Sequence, residues 1–142
     1  MTAAKSSIRI GAHVPTSGGM ATRSIEYALT IKAETIQVFA SSPRTWATSA
    51  PNPAMDEAFK AKTNEHDIKP YVHASFLINL GSPTISTYEN SLAATAYSLK
   101  RGHEIGAHGV VVHTGSAVDE THIDQAWKQI HEGVMPILNN LK

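Results

Sequence analysis

The sequence predicts an α/β chain of repeating strand–helix units around a parallel sheet, and three observations carry that prediction. Short β-branched or apolar runs alternate with longer segments whose apolar residues recur every three or four positions. Glycine or proline marks most junctions between the two kinds of segment. The most apolar run, Gly109-Val110-Val111-Val112-His113, reads as a parallel strand covered on both faces, because it lacks the alternation of a half-solvated one.

Taken in chain order, Ser7 to His13 alternates apolar and polar residues and reads as the first strand. Gly18-Gly19 breaks it, and Met20 to Lys32 carries Ile25, Ala28 and Leu29 at helical spacing. Thr35-Ile36-Gln37-Val38-Phe39 is β-branched and aromatic, a second strand. After a loop holding Pro43 and Pro51, Asn52-Pro53 starts a helix that runs to about His66 (Asn caps, and Pro at the first helical position gives up no bonded N–H). Lys69 to His73 is the third strand. Ser86 and Glu89 have the spacing of a capping box, opening a helix with Leu92, Ala96 and Leu99 on one stripe and Gly106 as its left-handed stop. Gly109 to His113 is the fourth strand. The last helix starts near Asp119 or Glu120 and carries Ile123, Trp127, Ile130, Val134, Leu138 and Leu141, with Pro136 inside the pattern as an expected kink or early end. Four units of about 35 residues fill the chain, with no linker, low-complexity tract or sequence repeat.

Composition narrows the chemistry. The chain has 142 residues, no cysteine, and 12 basic against 12 acidic residues. Absent cysteine excludes disulfides, a catalytic thiolate and thiolate metal sites, so a metal would need nitrogen or oxygen ligands. Zero net charge gives no long-range pull toward nucleic acid. No segment is a signal peptide or long enough to span a bilayer, so the expected protein is soluble and cytoplasmic, without a membrane partner.

Eight histidines outnumber each aromatic residue type, and three of them, His13, His73 and His113, end predicted strands. Ligands and chemistry gather at the carboxyl ends of parallel strands, and neutral imidazole is the commonest metal ligand. The same positions also suit an imidazole that only hydrogen-bonds a loop. His66 sits at a helix C-terminus, where the dipole favours a cation. His103, His108, His122 and His131 fall on helices or connecting turns and read as structural. A catalytic metal needs a further ligand, usually acidic, and Asp119, Glu120 or Asp124 at the start of the last helix is the nearest source.

Four segments in this order resemble the endonuclease IV family of zinc-dependent apurinic/apyrimidinic endonucleases. They are Ile10-Gly11-Ala12-His13-Val14 with Ser17-Gly18-Gly19; Ser42-Pro43-Arg44-Thr45-Trp46; His73-Ala74-Ser75-Phe76-Leu77-Ile78-Asn79-Leu80; and Val111-Val112-His113-Thr114-Gly115-Ser116. The resemblance covers almost the whole chain. It implies a (β/α)8 TIM barrel with three zinc ions, and cleavage of double-stranded DNA 5′ to an abasic site to leave a 3′-hydroxyl, as in base excision repair. It matches the first two histidine ligands to His73 and His113, and the DNA-wedging residues to Arg44 and Phe76. His13 and Ser116 fall where they would support the ligands. Phe76 replaces an expected tyrosine, keeping the stacking face but losing the hydroxyl; Thr114 stands where proline is usual.

The resemblance also implies incompleteness. A (β/α)8 barrel needs about 250 residues, and the bridging glutamate and later ligands would lie beyond Lys142. The expectation is therefore residues 1–142 as one partial domain, the amino-terminal half of a barrel, with at most one partial zinc site, no catalytic carboxylate and no activity alone. Two other readings differ in class. A TIM-barrel sugar isomerase or epimerase would also place metal ligands at strand ends, but has no use for a wedge formed by Arg44 and Phe76. A half barrel could instead associate with a second copy through its exposed edges.

Overall fold

The structure, a computed structural model, describes residues 8–140. Its centre is a four-stranded parallel sheet in the order β1 (Gly11–His13), β2 (Thr35–Phe39), β3 (Lys69–His73), β4 (Val110–Val111). After β1 come a π-helical turn, Gly19–Ser24, and α1 (Ile25–Thr30). Then follow α2 (Pro53–Glu65), α3 (Ile85–Glu104) and α4 (Ile123–Asn139), the last entered through a 3-10 turn, Glu120–His122. The parallel strand–helix order agrees with the sequence reading.

The middle strands show why. In β2, Ile36 and Val38 are buried while Thr35, Gln37 and Phe39 are only partly so; in β3, Pro70 and Val72 are buried between Lys69, Tyr71 and His73. One face therefore meets the helices, and the other forms a more open inner surface. Ile36, Val38 and Val72 share the main core with Phe59 of α2, Ile25 and Ala28 of α1, Ile68 and Ile105. A second cluster, Ala74, Ile78 and Leu80, is closed by Leu92, Ile130 and Val134.

Several expectations are corrected. The first strand covers only Gly11–His13, all exposed, and the fourth only Val110–Val111. Each lies at a sheet edge with a single neighbour to pair with. Ser7 and Leu141 lie outside the described residues. Asn52 caps α2, its Oδ1 accepting from Met55 N–H at 3.3 Å. The Ser86/Glu89 capping box is not used: α3 begins at Ile85, and Thr84 holds the cap position without a side-chain bond. Ser82 Oγ instead accepts from Thr84 N–H at 3.1 Å.

The buried stripe of α3 is Ser91, Thr95, Ser98, Arg101 and Gly102, not Leu92, Ala96 and Leu99. Small hydroxyl residues let the helix lie close. They stay satisfied in the dry layer by donating to their own helix, Ser91 to Thr87 O (2.6 Å), Thr95 to Ser91 O (2.8 Å) and Ser98 to Ala94 O (2.8 Å). Arg101 pairs with Asp56 of α2 through two 2.8 Å bonds, with both side chains under a tenth exposed. Its guanidinium is held above the usual arginine range, first by the bond to Asp56. Gly106, at φ +70°, supplies the left-handed stop of α3. Pro136 does not end α4, which continues to Asn139. A proline this late deprives only the carbonyl four residues back, that of solvent-exposed Glu132.

Candidate functional site

The carboxyl end of the sheet collects five rings. His13 ends β1, Phe39 ends β2 and His73 ends β3. Phe76 comes next in the third loop and His113 in the fourth. The Phe39 ring lies 4.3 Å from His13, 5.4 Å from His73 and 5.2 Å from Phe76, and His73 lies 5.4 Å from Phe76 and 5.1 Å from His113, centroid to centroid. His73 is the hub, with four ring neighbours among the described residues, and it is flanked by Phe39, whose part in the cluster sequence reading missed. The available signal was the parity of Phe39: in β2 it shares a face with Thr35 and Gln37.

His73 and His113 meet directly, with Nε2 to Nε2 at 3.2 Å. His73 Nδ1 lies 2.7 Å from the Ala74 carbonyl, so Nδ1 carries the proton and donates, leaving Nε2 with its lone pair. That arrangement sets a metal-ligating imidazole's tautomer. Two nitrogens on one zinc at about 2.0–2.1 Å and near-tetrahedral angles stand about 3.3 Å apart. The observed separation fits two ligands of one ion.

Among the described residues no third ligand joins that pair. No group of three or more His, Asp or Glu that could hold a metal occurs among the described residues. The proposed reach of Asp119, Glu120 or Asp124 is therefore not met. Asp119 caps the 3-10 turn, accepting from Thr121 N–H at 2.9 Å and from the Thr121 hydroxyl. Those bonds, the hydroxyl's first, hold its carboxyl below the usual aspartate range.

His13 stands apart from the pair, its ring 6.3 Å from that of His73. Its Nδ1 lies 3.1 Å from Gln37 Oε1, a partner on the inner face of β2 that sequence reading did not single out. Ser116 does not bond either imidazole among the described residues; its hydroxyl accepts from Val118 N–H at 3.0 Å.

Arg44 and Phe76 come from different loops, and one carbonyl ties the loops together. Pro43 O accepts from Phe76 N–H and from the Ser75 hydroxyl, each at 3.0 Å. Tyr97 of α3 braces the Arg44 loop, its hydroxyl donating to Ser49 O at 3.0 Å and Ala40 O at 3.4 Å. Arg44 is exposed and has no ion pair among the described residues. Phe76 is 56% exposed despite its ring neighbours. The half-exposed aromatic face of Phe76 thus stands beside His73, and the Pro43 carbonyl ties the loop that carries Arg44 to it.

Residues 25–141 match the xylose isomerase-like TIM barrel family. The chain is 47% identical over 132 residues to a probable endonuclease 4 of Streptomyces coelicolor, covering 93% of this chain and 45% of that protein. It is 35% identical over 125 residues to endonuclease 4 of Thermus thermophilus, covering 86% and 46%. The crystal structure of an endonuclease IV from Thermus thermophilus superposes with a TM-score of 0.73 at 31% identity, over 88% of this chain and 46% of that one. A D-tagatose 3-epimerase-like protein superposes at TM-score 0.63 with 14% identity, over 92% of this chain and 48% of that one, a likeness of fold alone. The chain spans about half the length of the curated relatives it matches.

Proposed function

The chain belongs to the xylose isomerase-like TIM barrel family, and on that premise we propose that it is half of a zinc-dependent DNA repair endonuclease that cuts 5′ to abasic sites and leaves a 3′-hydroxyl. Its four parallel strands form half of the eight-stranded barrel. One observation carries the reading: two imidazole nitrogens 3.2 Å apart at the carboxyl end of the sheet, beside Phe76 and the tethered Arg44 loop. Identity to endonuclease 4 proteins favours this over a sugar epimerase, whose likeness is confined to the fold.

His73 and His113 are the residues that would hold a zinc ion, each through Nε2. When bound, zinc supplies phosphate polarisation and a hydroxide at neutral pH. The remaining work belongs to the chain's own residues. The Ala74 carbonyl keeps the His73 proton on Nδ1. Phe76 offers an aromatic face where a base is missing, and unstacking costs least at such a site. Arg44 would enter the minor groove and offset the cost of bending the duplex. With two ligands and no clustered carboxylate among the described residues, the chain alone does not incise.

The test has two arms. Zinc titration of this chain should show binding that His73→Ala and His113→Ala each abolish; unchanged binding removes the ligand assignment. Affinity for an abasic duplex should fall with Phe76→Ala by about 1–3 kcal/mol, and less with Arg44→Ala, while an intact duplex discriminates poorly between the variants. Robust zinc-dependent incision by this chain alone would overturn its inactivity.

A further inference from the structure

We infer that Asn79 is a positioning residue that sets His113 opposite His73, an inference that takes its functional meaning from the metal reading above. The sheet does not hold His113. Register between β3 and β4 ends at the His73–Val111 pair, and the last bond of the ladder, Ala74 N–H to Val111 O at 2.9 Å, falls two residues short of His113. Beyond that bond, the third and fourth loops are joined by a seam of their own.

Leu80 N–H donates to Thr114 O at 2.9 Å. Asn79 Oδ1 accepts from Ser116 N–H at 2.9 Å and from Gly81 N–H at 3.2 Å. His113 is therefore strung between a sheet bond at Val111 and seam bonds at Thr114 and Ser116. The seam is anchored behind. Asn79 N–H donates to Ser91 Oγ at 2.9 Å, and that hydroxyl, fully buried, donates in turn to Thr87 O at 2.6 Å on α3. The packing is close as well. Gly115 has φ +93°, and a Cβ there would run into Asn79 Oδ1 and, at 2.5 Å, Asn79 Cα. Only glycine meets both demands.

Every side-chain bond of Asn79 in the seam uses Oδ1 as acceptor. Aspartate offers the same acceptor and alanine offers none, which separates positioning from mere bulk. A side chain stabilising only its own turn at Gly81 would leave His113 in place when lost.

The experiment is an NMR comparison of the 142-residue chain with its Asn79→Ala and Asn79→Asp variants. The first readout needs no metal: the nuclear Overhauser contact between the ring protons of His73 and His113. The second is titration with zinc chloride. Asn79→Asp should keep the contact and bind zinc within about twofold of the parent. Asn79→Ala should lose the contact and bind zinc at least about tenfold more weakly, while cross-strand contacts between β2 and β3 persist. An unchanged His73–His113 contact in Asn79→Ala overturns the inference. Should that variant not fold, Gly115→Ala pushes the seam apart from its other side, and a retained contact there is equally fatal. His73→Ala serves as the control: if it binds zinc like the parent, the metal reading fails, while the ring contact still decides the role of Asn79.

Discussion

The two middle units and the two flanking units of this sheet obey the same sequence grammar and end up differently. β2 and β3 pair over five positions, and Val38, Val72 and Phe59 around them are fully buried. β1 pairs over three positions and β4 over two, while Ile10 beside β1 is 74% exposed and Trp127 on α4 is 67% exposed. Hydrophobicity does not separate them, since the fourth strand is the most apolar run in the chain. The difference is the number of neighbours. A strand–helix unit in a parallel sheet is buried by the units on both sides, and the outer two have one each. The imidazole pair straddles the boundary, with His73 from the middle and His113 from the flank, and that is why the flank needs its own seam.

Substitutions test the contrast, beginning with the largest effect. Phe59→Ala removes the largest fully buried side chain and should cost about 3–5 kcal/mol in urea unfolding; a loss of only about 1 kcal/mol would mean the middle core is loosely packed. Asp56→Ala removes the partner of Arg101 across the two helices and leaves its buried guanidinium with Glu104 of its own helix alone, and should cost about 3 kcal/mol. Replacing both partners with leucine and methionine should recover much of that loss, which sharpens the assignment to a buried charge short of one carboxylate. On the flank, Ile10→Ala should change stability by no more than about 0.5 kcal/mol, because the side chain is already in water. Trp127→Glu should be as mild for stability, and any concentration-dependent association seen by sedimentation should weaken with it. A large stability loss from either flank change would break the comparison.

Much of this was legible in the residues. β2 and β3 occupy the predicted spans because buried residues alternate there with less buried ones, Ile36 and Val38 in β2 and Pro70 and Val72 in β3. Asn52-Pro53 starts its helix because both residues act locally. The misreadings share one cause, the choice among partners. Ser86 and Glu89 had capping spacing, but the chain entered the helix earlier and used Ser82. The apolar stripe on α3 proved to be its shoulder, since closeness to the sheet favoured Ser91, Thr95, Ser98 and Gly102. Asp119 was available as a ligand by type and was taken by Thr121. Phe39 and Gln37 looked like ordinary strand residues until the inner face brought them to the histidines.

The sequence by itself determined the alternation of strands and helices, the parallel sheet, and the presence of histidine at the ends of strands, because these depend on local periodicity and on residue type. The family resemblance named His73 and His113 together, and only the tertiary structure decided how they meet. His73 and His113 are 40 residues apart, and no local rule brings their nitrogens within 3.2 Å. Parallel register carries the two strands side by side, and the bonds between Asn79, Leu80, Thr114 and Ser116 then hold the loops beyond them. His13, equally placed in sequence at the end of its strand, was held by Gln37 and stands apart.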